Sequence, residues 1–219
     1  MDIHRIKTGF VNCYLIKTES GFFMIDTGIA SKRIELVSEL EHIGCRPENL
    51  VLILVTHGDS DHCGNCAYLR EKFGAKIAMH PAEAEIVASG EMLSSRRPRQ
   101  SPLRKILIKS LTPFVSLKKS DRFTADLSIE DGTDLSDWEF NARVLHLPGH
   151  SNGSIGVLTA DGELFCGDLI DNNGIPRLHM VDDPAAANAS LEKLRQFMIK
   201  IVYPGHGAPF TMDQLTTEN

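Results

Sequence analysis

A run of six apolar residues, 50–55, ends in the loop Thr56-His57-Gly58-Asp59-Ser60-Asp61-His62. A nearly unbroken apolar run of this length is typical of a strand that is covered on both of its faces. The loop that follows places two imidazoles and two carboxylates within six residues. The chain must therefore bury this strand inside a layered structure and present a polar cluster at the strand's end.

The rest of the chain alternates between short strand patterns and amphipathic helix patterns. Residues 31–43 predict a helix with Ser31 as its N-cap. Its expected buried stripe recurs every three positions and consists of Ile34, Val37, Leu40 and Ile43. Further helices are predicted at 63–73 and 185–199, and strands at 11–18, 21–26, 50–55, 75–79, 140–147, 154–159, 163–166 and 201–203. This order of elements indicates an α/β domain with an internal sheet core and outer helices.

Length and composition restrict the class of protein. The 219 residues, 42% of them hydrophobic, predict one globular domain over 1–219. A net charge of -6 argues against a general nucleic-acid binder. No apolar run approaches the roughly 18 residues that a membrane-spanning helix needs, and the N-terminus lacks the pattern of a signal peptide. Five scattered cysteines fit reduced thiols, so a cytoplasmic location is expected.

The polar loop after the buried strand offers metal ligands, because imidazole nitrogen and carboxylate oxygen bind Zn²⁺, Mn²⁺ and Fe. Alternation along the extended chain predicts that His57, Asp59 and Asp61 point to one side, while His62 can turn toward a second ion. A plain polar loop, in which an Asp only caps the following helix, is the alternative. Three further donors favour a metal site, since each follows an apolar strand and lies next to glycine: His150, Asp168 and His206.

These motifs, in this order, resemble those of the metallo-β-lactamase-fold hydrolases, the superfamily that includes glyoxalase II, lactonases and RNase Z. The matching segments are the 56–62 loop together with Ile25-Asp26-Thr27-Gly28, Gly149-His150-Ser151, Gly167-Asp168 and Gly205-His206-Gly207. The resemblance implies a four-layer αββα sandwich, in which two mixed β-sheets pack face to face between outer helices.

Carried over position by position, the resemblance also implies two metal sites. The expected ligand sets are bridged by Asp168 and consist of His57, Asp59 and His150 for the first ion, and of Asp61, His62 and His206 for the second. The chain departs from the family's His-x-His-x-Asp-His motif at Asp59, where the family has its second His. The added oxygen donor shifts preference toward Fe or Mn²⁺, although Zn²⁺ is still expected to lead. A non-coordinating Asp59 would leave one tight ion at the second site.

Two ions that share a water would provide hydroxide at neutral pH. The expected activity is therefore hydrolysis of an ester, thioester, lactone or phosphoester. Asp61 and Asp168 are the expected catalytic residues, Asp61 as a proton acceptor and Asp168 as the bridge, while Asp26 is expected to orient a ligand from behind. Two alternatives stay open: a mononuclear iron thiol or persulfide dioxygenase of the same fold, and a non-catalytic metal-binding protein.

A basic segment, residues 94–120, contains eight Lys and Arg and no acidic residue, in a chain with 23 basic and 29 acidic residues. Its apolar residues recur at helical spacing, which predicts a helical insertion. Such an insertion could form a lid that attracts a small anionic substrate, could pack on a second copy in a homodimer, or could lie on an anionic membrane surface. The first two uses are favoured over the membrane surface, and an ordinary solvated helix is the alternative to all three.

Several other polar residues invite a functional interpretation. The Cys63-Gly64-Asn65-Cys66 motif has the spacing of redox pairs, but packing against the sheet is favoured because the motif occurs once and on a predicted helix. His80 and His146 are expected in structural or outer-pocket positions. Arg177 and His179 follow Asp168 in a loop and could contact substrate, with a solvated loop as the alternative.

Overall fold

The first sheet contains six strands. A computed structural model describes residues 1–90, 116–178 and 180–215 of the chain. The strands of this sheet follow chain order and are β1 (Ile3–Thr8), β2 (Val11–Lys17), β3 (Phe22–Ile25), β4 (Leu50–Val55), β5 (Lys76–Met79) and β6 (Leu127–Ser128). The first three pair antiparallel, and the pairs from β3 to β6 are parallel, so the sheet is mixed.

The second sheet contains four strands in the order β12-β9-β8-β7. Its members are β7 (Ala142–His146), β8 (Ile155–Thr159), β9 (Glu163–Gly167) and β12 (Ile201–Pro204). The outer pair β12–β9 is parallel and the others are antiparallel, so β7, β9 and β12 run in the same direction. A small hairpin of β10 (Asp171–Asn172) and β11 (Pro176–Arg177) follows β9.

Three apolar clusters define the layers. Helices α1 (Arg33–Ile43), α2 (Ser60–Cys63), α3 (Cys66–Phe73) and α4 (Ala84–Ser89) contribute to a cluster with one face of the first sheet, and α5 (Pro184–Leu194) packs on the outer face of the second sheet. A third cluster, which includes Phe23, Leu54, Val157 and Phe165, fills the space between the two sheets. The predicted four-layer αββα sandwich is confirmed.

The first sheet is buried on both faces, and alternate side chains of one strand contribute to different apolar clusters. In β4, Ile53 and Val55 belong to the cluster under the helices, whereas Leu52 and Leu54 belong to the cluster between the sheets. This is the structural reason for the unbroken apolar run in the sequence. All eight predicted strands are present, with ends within two residues of the predicted ones.

The first predicted helix needs a correction. It begins at Arg33 after a 3-10 turn, Ala30–Lys32, and its N-cap is Lys32, so Ser31 is not the cap. Ile34 is 86% exposed, and the fully buried side chains are Leu36 and Leu40. A spacing of exactly three residues drifts around a helix with 3.6 residues per turn, whereas the spacing of four between Leu36 and Leu40 keeps both on one face.

Two other predicted helices differ in extent. The helix expected over 63–73 is broken into α2 and α3 at Gly64 and Asn65, where the Asn65 amide donates to the carbonyl of Thr27 at 2.7 Å. A Cβ at Gly64 would lie 2.5 Å from the carbonyl oxygen of Ser60 and 2.8 Å from that of Gly28, so only glycine allows this close approach. The helix expected over 185–199 ends at Leu194.

Most of the basic segment, residues 94–115, lies outside the described residues. The lid and dimer interpretations depend on these residues and stay predictions. Its described end includes a 3-10 turn, Lys119–Asp121. Within the residues that the structure describes, no helix combines the length and the apolar character needed to cross a bilayer.

Candidate metal centre

The candidate site forms where strands of both sheets end. β3 and β4 are parallel in the first sheet, and β7, β9 and β12 share a direction in the second, so their carboxyl ends can gather at one edge of the sandwich. The loops after these strands carry the polar side chains that the sequence singled out. Seven of them form three overlapping groups of three. Within each group, the ligand atoms all lie within 4.8 Å of one another. The seven residues are His57, Asp59, Asp61, His62, His150, Asp168 and His206.

The first triad consists of His57, Asp59 and His150. Asp59 Oδ2 lies 3.2 Å from His150 Nε2 and 3.7 Å from His57 Nε2. Both imidazoles are buried, while the Asp59 side chain keeps 23% of its surface exposed. The carboxylate that replaces the family's second histidine therefore lies within the ligand cluster.

The second triad consists of Asp61, His62 and His206. His206 Nε2 lies 3.3 Å from His62 Nε2 and 3.6 Å from Asp61 Oδ2. Asp61 thus belongs to the set that the resemblance implies for the second ion. Helix α2 begins at Ser60, so the extended alternation ends there and Asp61 joins the second triad.

Asp168 lies between the two triads. Its Oδ1 is 3.1 Å from His62 Nε2, and its Oδ2 is 3.1 Å from His206 Nε2. The same Oδ2 is 3.7 Å from His57 Nε2 and 3.9 Å from His150 Nε2. One carboxylate thus faces imidazoles from both triads, which is the position of a bridging ligand.

Partners outside the site orient all four imidazoles. The Nδ1 atom of each ring faces an oxygen, and the Nε2 atom faces the centre. The oxygen partners are Thr56 Oγ1 at 3.0 Å for His57, Asp26 Oδ2 at 2.8 Å for His62, the Met180 carbonyl at 3.0 Å for His150, and the Phe10 carbonyl at 3.1 Å for His206. When Nδ1 donates to these oxygens, Nε2 is left with a lone pair for a metal ion.

Asp26 organises this outer layer. It follows β3 in a left-handed backbone conformation with φ of 57°. Its Oδ1 accepts from the backbone N–H of Thr56 at 2.8 Å, and its Oδ2 accepts from the Thr56 hydroxyl at 2.7 Å. Asp26 thereby fixes both His62 directly and His57 through Thr56, consistent with the role expected of it.

The charges within the site favour cations. Burial alone would lower the pKa of His62, but the carboxylates of Asp168 and Asp26 hold it well above its usual value. Burial would likewise raise the pKa of Asp168, yet His62 and His206 hold it well below its usual range. Burial lowers and Asp168 raises the pKa of His206, with a result of about 8. The imidazoles hold their protons because a carboxylate charge lies beside them, and a metal ion would compete with those protons for the same nitrogen atoms.

The residues present fit divalent transition-metal ions. Among the described residues, His57 Nε2 is buried without a hydrogen-bond partner, and Asp168 Oδ1 has only its ion-pair contact with His62 Nε2 at 3.1 Å. Buried polar atoms normally have a partner, so such atoms at the middle of a donor cluster indicate a ligand-binding position. Four imidazoles and three carboxylates suit Zn²⁺, Fe or Mn²⁺.

The structure adds one residue that sequence analysis missed, the buried Glu83. Its Oε2 accepts from the backbone N–H of Gly58 at 2.9 Å. Its Oε1 accepts from the Ser151 hydroxyl at 2.8 Å and from the backbone N–H of Gly153 at 2.9 Å. Glu83 thus connects the loop of His57 to the loop of His150, although it lies in a 3-10 turn, Pro81–Glu83, that shows no motif.

The remaining sequence candidates lie around the site. Cys63 and Cys66 are free, buried members of the apolar cluster under the helices, and burial raises the pKa of both thiols, which fits packing. The rings of His80 and His146 stack at 4.5 Å, and neither belongs to a ligand group found among the described residues. Arg177 lines a cleft at the β10–β11 hairpin, and His179 lies outside the described residues.

A prediction concerns the unusual Asp59. Replacing Asp59 with His should shift metal preference toward Zn²⁺ over Mn²⁺ by about tenfold, because it exchanges a hard oxygen donor for an imidazole. Competitive metal loading followed by elemental analysis measures this ratio. Asp137→His, an exposed position with the same change of charge, is the control. An unchanged ratio in Asp59→His would show that Asp59 is not a ligand.

The fold and the donor set together define a class, a metal-binding protein built on a four-layer αββα sandwich. The family model described as the Metallo-beta-lactamase superfamily matches residues 6–206. The chain belongs to this superfamily.

Relatives and solved structures agree with this family. The hydroxyacylglutathione hydrolase GloC of Haemophilus influenzae is 30% identical over 95% of this chain and 91% of its own length. The acyl-coenzyme A thioesterase MBLAC2 of Bos taurus is 24% identical over 93% of this chain and 75% of its own. Among solved structures, TTHA1623 in a di-iron-bound form superposes with a TM-score of 0.72 at 25% identity, covering 98% of this chain and 96% of that one. The similar proteins with named activities are hydrolases.

Proposed function

We propose that the protein is a metal-dependent hydrolase that uses a dinuclear centre to cleave the acyl–sulfur bond of thioesters. The observation that carries the proposal is the pair of ligand triads joined by Asp168. The names of two relatives, a hydroxyacylglutathione hydrolase and an acyl-coenzyme A thioesterase, both denote hydrolysis of such a bond and favour it over lactones and phosphoesters. Zn²⁺ is the first choice of ion, with Fe and Mn²⁺ next.

The residues of the chain divide the remaining work. Two bound ions would bring the pKa of a water near neutrality and polarise the scissile carbonyl. Asp61 is the proposed proton acceptor, because its side chain is 25% exposed and can reach both solvent and the centre. Asp168, whose side chain is 11% exposed, is held by imidazoles on both sides and serves as the bridge. Asp26 and Glu83 hold the ligand loops in register.

The geometry favours two ions over one. A mononuclear iron dioxygenase needs a single ligand set, whereas here Asp61, His62 and His206 form a second set beside the first. The partners of the four Nδ1 atoms direct the four Nε2 atoms inward, so the imidazoles of both sets are oriented for metal binding. A non-catalytic binding protein has no need of a carboxylate shared between the sets.

The test combines metal analysis with a substrate panel. Protein expressed in metal-replete medium is expected to contain about two transition-metal ions per chain. Acyl thioesters should be hydrolysed faster than the matching lactone and phosphodiester substrates, with Zn²⁺, Mn²⁺ and Fe each tested. Removal of metal by a chelator should stop turnover, and return of the ion should restore it. Protein free of metal after such expression, or consumption of oxygen with a thiol substrate, would contradict the proposal.

A further inference from the structure

Two imidazoles stack where strands of the two sheets end. His80 directly follows β5 of the first sheet, and His146 is the last residue of β7 in the second sheet. The ring centroids lie 4.5 Å apart, and the ring planes differ by 2°. The stack therefore connects the end of a strand in one sheet to the end of a strand in the other.

His146 is bonded to the loop that carries His150. Its Nε2 lies 2.8 Å from the carbonyl oxygen of Asn152, two residues beyond His150. A carbonyl oxygen only accepts, so Nε2 carries a proton and donates, and Nδ1 of the neutral ring keeps the lone pair. The bond closes the base of the loop 147–151, so a shift of the His146 ring would move a candidate metal ligand.

His80 is the N-cap of the 3-10 turn Pro81–Glu83. Its Nδ1 accepts from the backbone N–H of Ala82 at 3.2 Å. Because an accepting Nδ1 needs its lone pair, this bond exists only while the His80 ring is neutral. The turn ends at Glu83, whose carboxylate joins the two loops of the first triad. Protonation of His80 would therefore release the cap of the turn that holds both loops.

Charged groups on three segments surround the stack. Among the described residues they are Glu83, Glu130, Asp131 and Lys193. Burial lowers the pKa of His80 and a charge on His146 lowers it further, while the two glutamates only partly offset these effects. The stabilisation by neutral His80 is therefore complete above the ordinary histidine pKa of about 6.5 and is lost as the pH falls below it.

We propose that His80 and His146 are a pH-sensitive positioning pair for the first triad. While His80 is neutral, its turn stays capped and the two rings stack, so the loops of His57 and His150 are held in place for a metal ion. When both rings are charged, the cap is lost and two like charges face each other at 4.5 Å. The action of the pair presupposes the proposed metal centre but no particular substrate.

The second triad should respond less to protonation of the pair. The described bonds lead from the pair to Gly58 and to the segment 151–153, which adjoin ligands of the first triad. The second triad lies on α2 and in the loop after β12. An effect on one ion and not on the other is thus the signature of the pair.

Metal affinity at two pH values tests the pair without turnover. His80→Asn keeps a side-chain acceptor at the N-cap but removes the titrating ring. Titration of the metal-free protein with Co²⁺, followed by absorption, should give equal affinities for the variant and the unaltered protein at about pH 7.5. At about pH 5.5, the variant should bind one of the two ions about two- to fivefold more tightly, the upper figure being the equivalent of one N-cap hydrogen bond. The ligand imidazoles titrate in both proteins, so the ratio of affinities isolates the pair.

His42→Asn is the matched control, because it removes an exposed imidazole on α1 and should follow the unaltered protein. His146→Gln gives a second measurement that needs neither metal nor the first variant. A glutamine amide can donate to the Asn152 carbonyl but carries no charge. The pKa of His80, followed by NMR of its ring, should therefore rise toward its ordinary value in this variant.

Three results would overturn the proposal. They are a ratio of affinities that does not change with pH in His80→Asn, an equal response of both ions, and an unchanged His80 pKa in His146→Gln. Failure to bind metal at either pH would remove the pair's role and the proposed function together. If two ions bind with the expected pH dependence while no thioester is hydrolysed, the pair stands and only the proposed activity fails.

Discussion

Asp168→Ala is expected to abolish hydrolysis and to reduce metal affinity by at least about 100-fold, the upper figure for loss of a residue that only supports a ligand. Of the carboxylates that the structure describes, Asp168 alone lies within 3.9 Å of all four site imidazoles. Without it, the two cations that the triads would hold would face each other with no shared anion between them. The variant should therefore lose the second ion, the first ion, or both, rather than lose activity with full occupancy.

Two measurements separate this effect from misfolding. Ligands that bind only the folded state raise its stability, so the unaltered protein should melt at a lower temperature when a chelator is added. The melting temperature of Asp168→Ala should not respond to the chelator. Asp161→Ala, in an exposed turn, should behave like the unaltered protein. Full metal content together with normal turnover in Asp168→Ala would remove Asp168 from the centre.

The sequence singles out Asp168, which directly follows β9, and His57 and His206, which lie two residues after β4 and β12, because polar residues at strand ends stand out after an apolar run. An apolar run marks the strand, and the next polar residue must then emerge at the sheet edge, as with β4 before His57 or β12 before His206. The residue type identifies the chemistry, and adjacent glycines such as Gly205 mark close packing, since a Cβ there would lie 2.2 Å from Asp168 Oδ1. These signals are local, whereas the division of the ligands between two ions came from the family resemblance and not from the local pattern.

Most of the features that escaped prediction depend on contacts between distant residues or on elements too short to show a period, although the six-residue β1 was not predicted either. β6, β10 and β11 have two residues each, which is fewer than an alternating pattern requires. Glu83 contacts Ser151 and Gly153, 68 and 70 residues away, and nothing near it in the chain announces that role. The predicted stripe of α1 holds at Val37, Leu40 and Ile43 but wrongly includes the exposed Ile34 in place of the buried Leu36, because the two are equally apolar. The packing of the layers decides which of two equally apolar residues is buried.

Glu83→Ala is expected to lower the free energy of unfolding by about 3–5 kcal/mol. The change leaves the buried N–H groups of Gly58 and Gly153 and the hydroxyl of Ser151 without their acceptor. Each unsatisfied buried group costs about 1–3 kcal/mol, and the total is a large part of the 5–15 kcal/mol that holds a typical domain together. Chemical denaturation of the metal-free protein, monitored by the fluorescence of Trp138, measures the change.

Glu83→Gln tests whether the residue also positions the metal ligands. The glutamine has one acceptor oxygen where the glutamate has two. In either orientation, its NH₂ group therefore faces a backbone N–H, that of Gly58 or that of Gly153, which donates to the carboxylate in the unaltered protein. Because these backbone groups belong to the loops of His57 and His150, the first triad should loosen while Asp61, His62 and His206 keep their places. Cobalt substitution should then show an altered absorption spectrum and weaker binding for one of two ions only. Glu85→Gln, an exposed neighbour with the same change of charge, is the matched control. Equal weakening of both ions, or a spectrum identical to that of the control, would limit Glu83 to a role in folding.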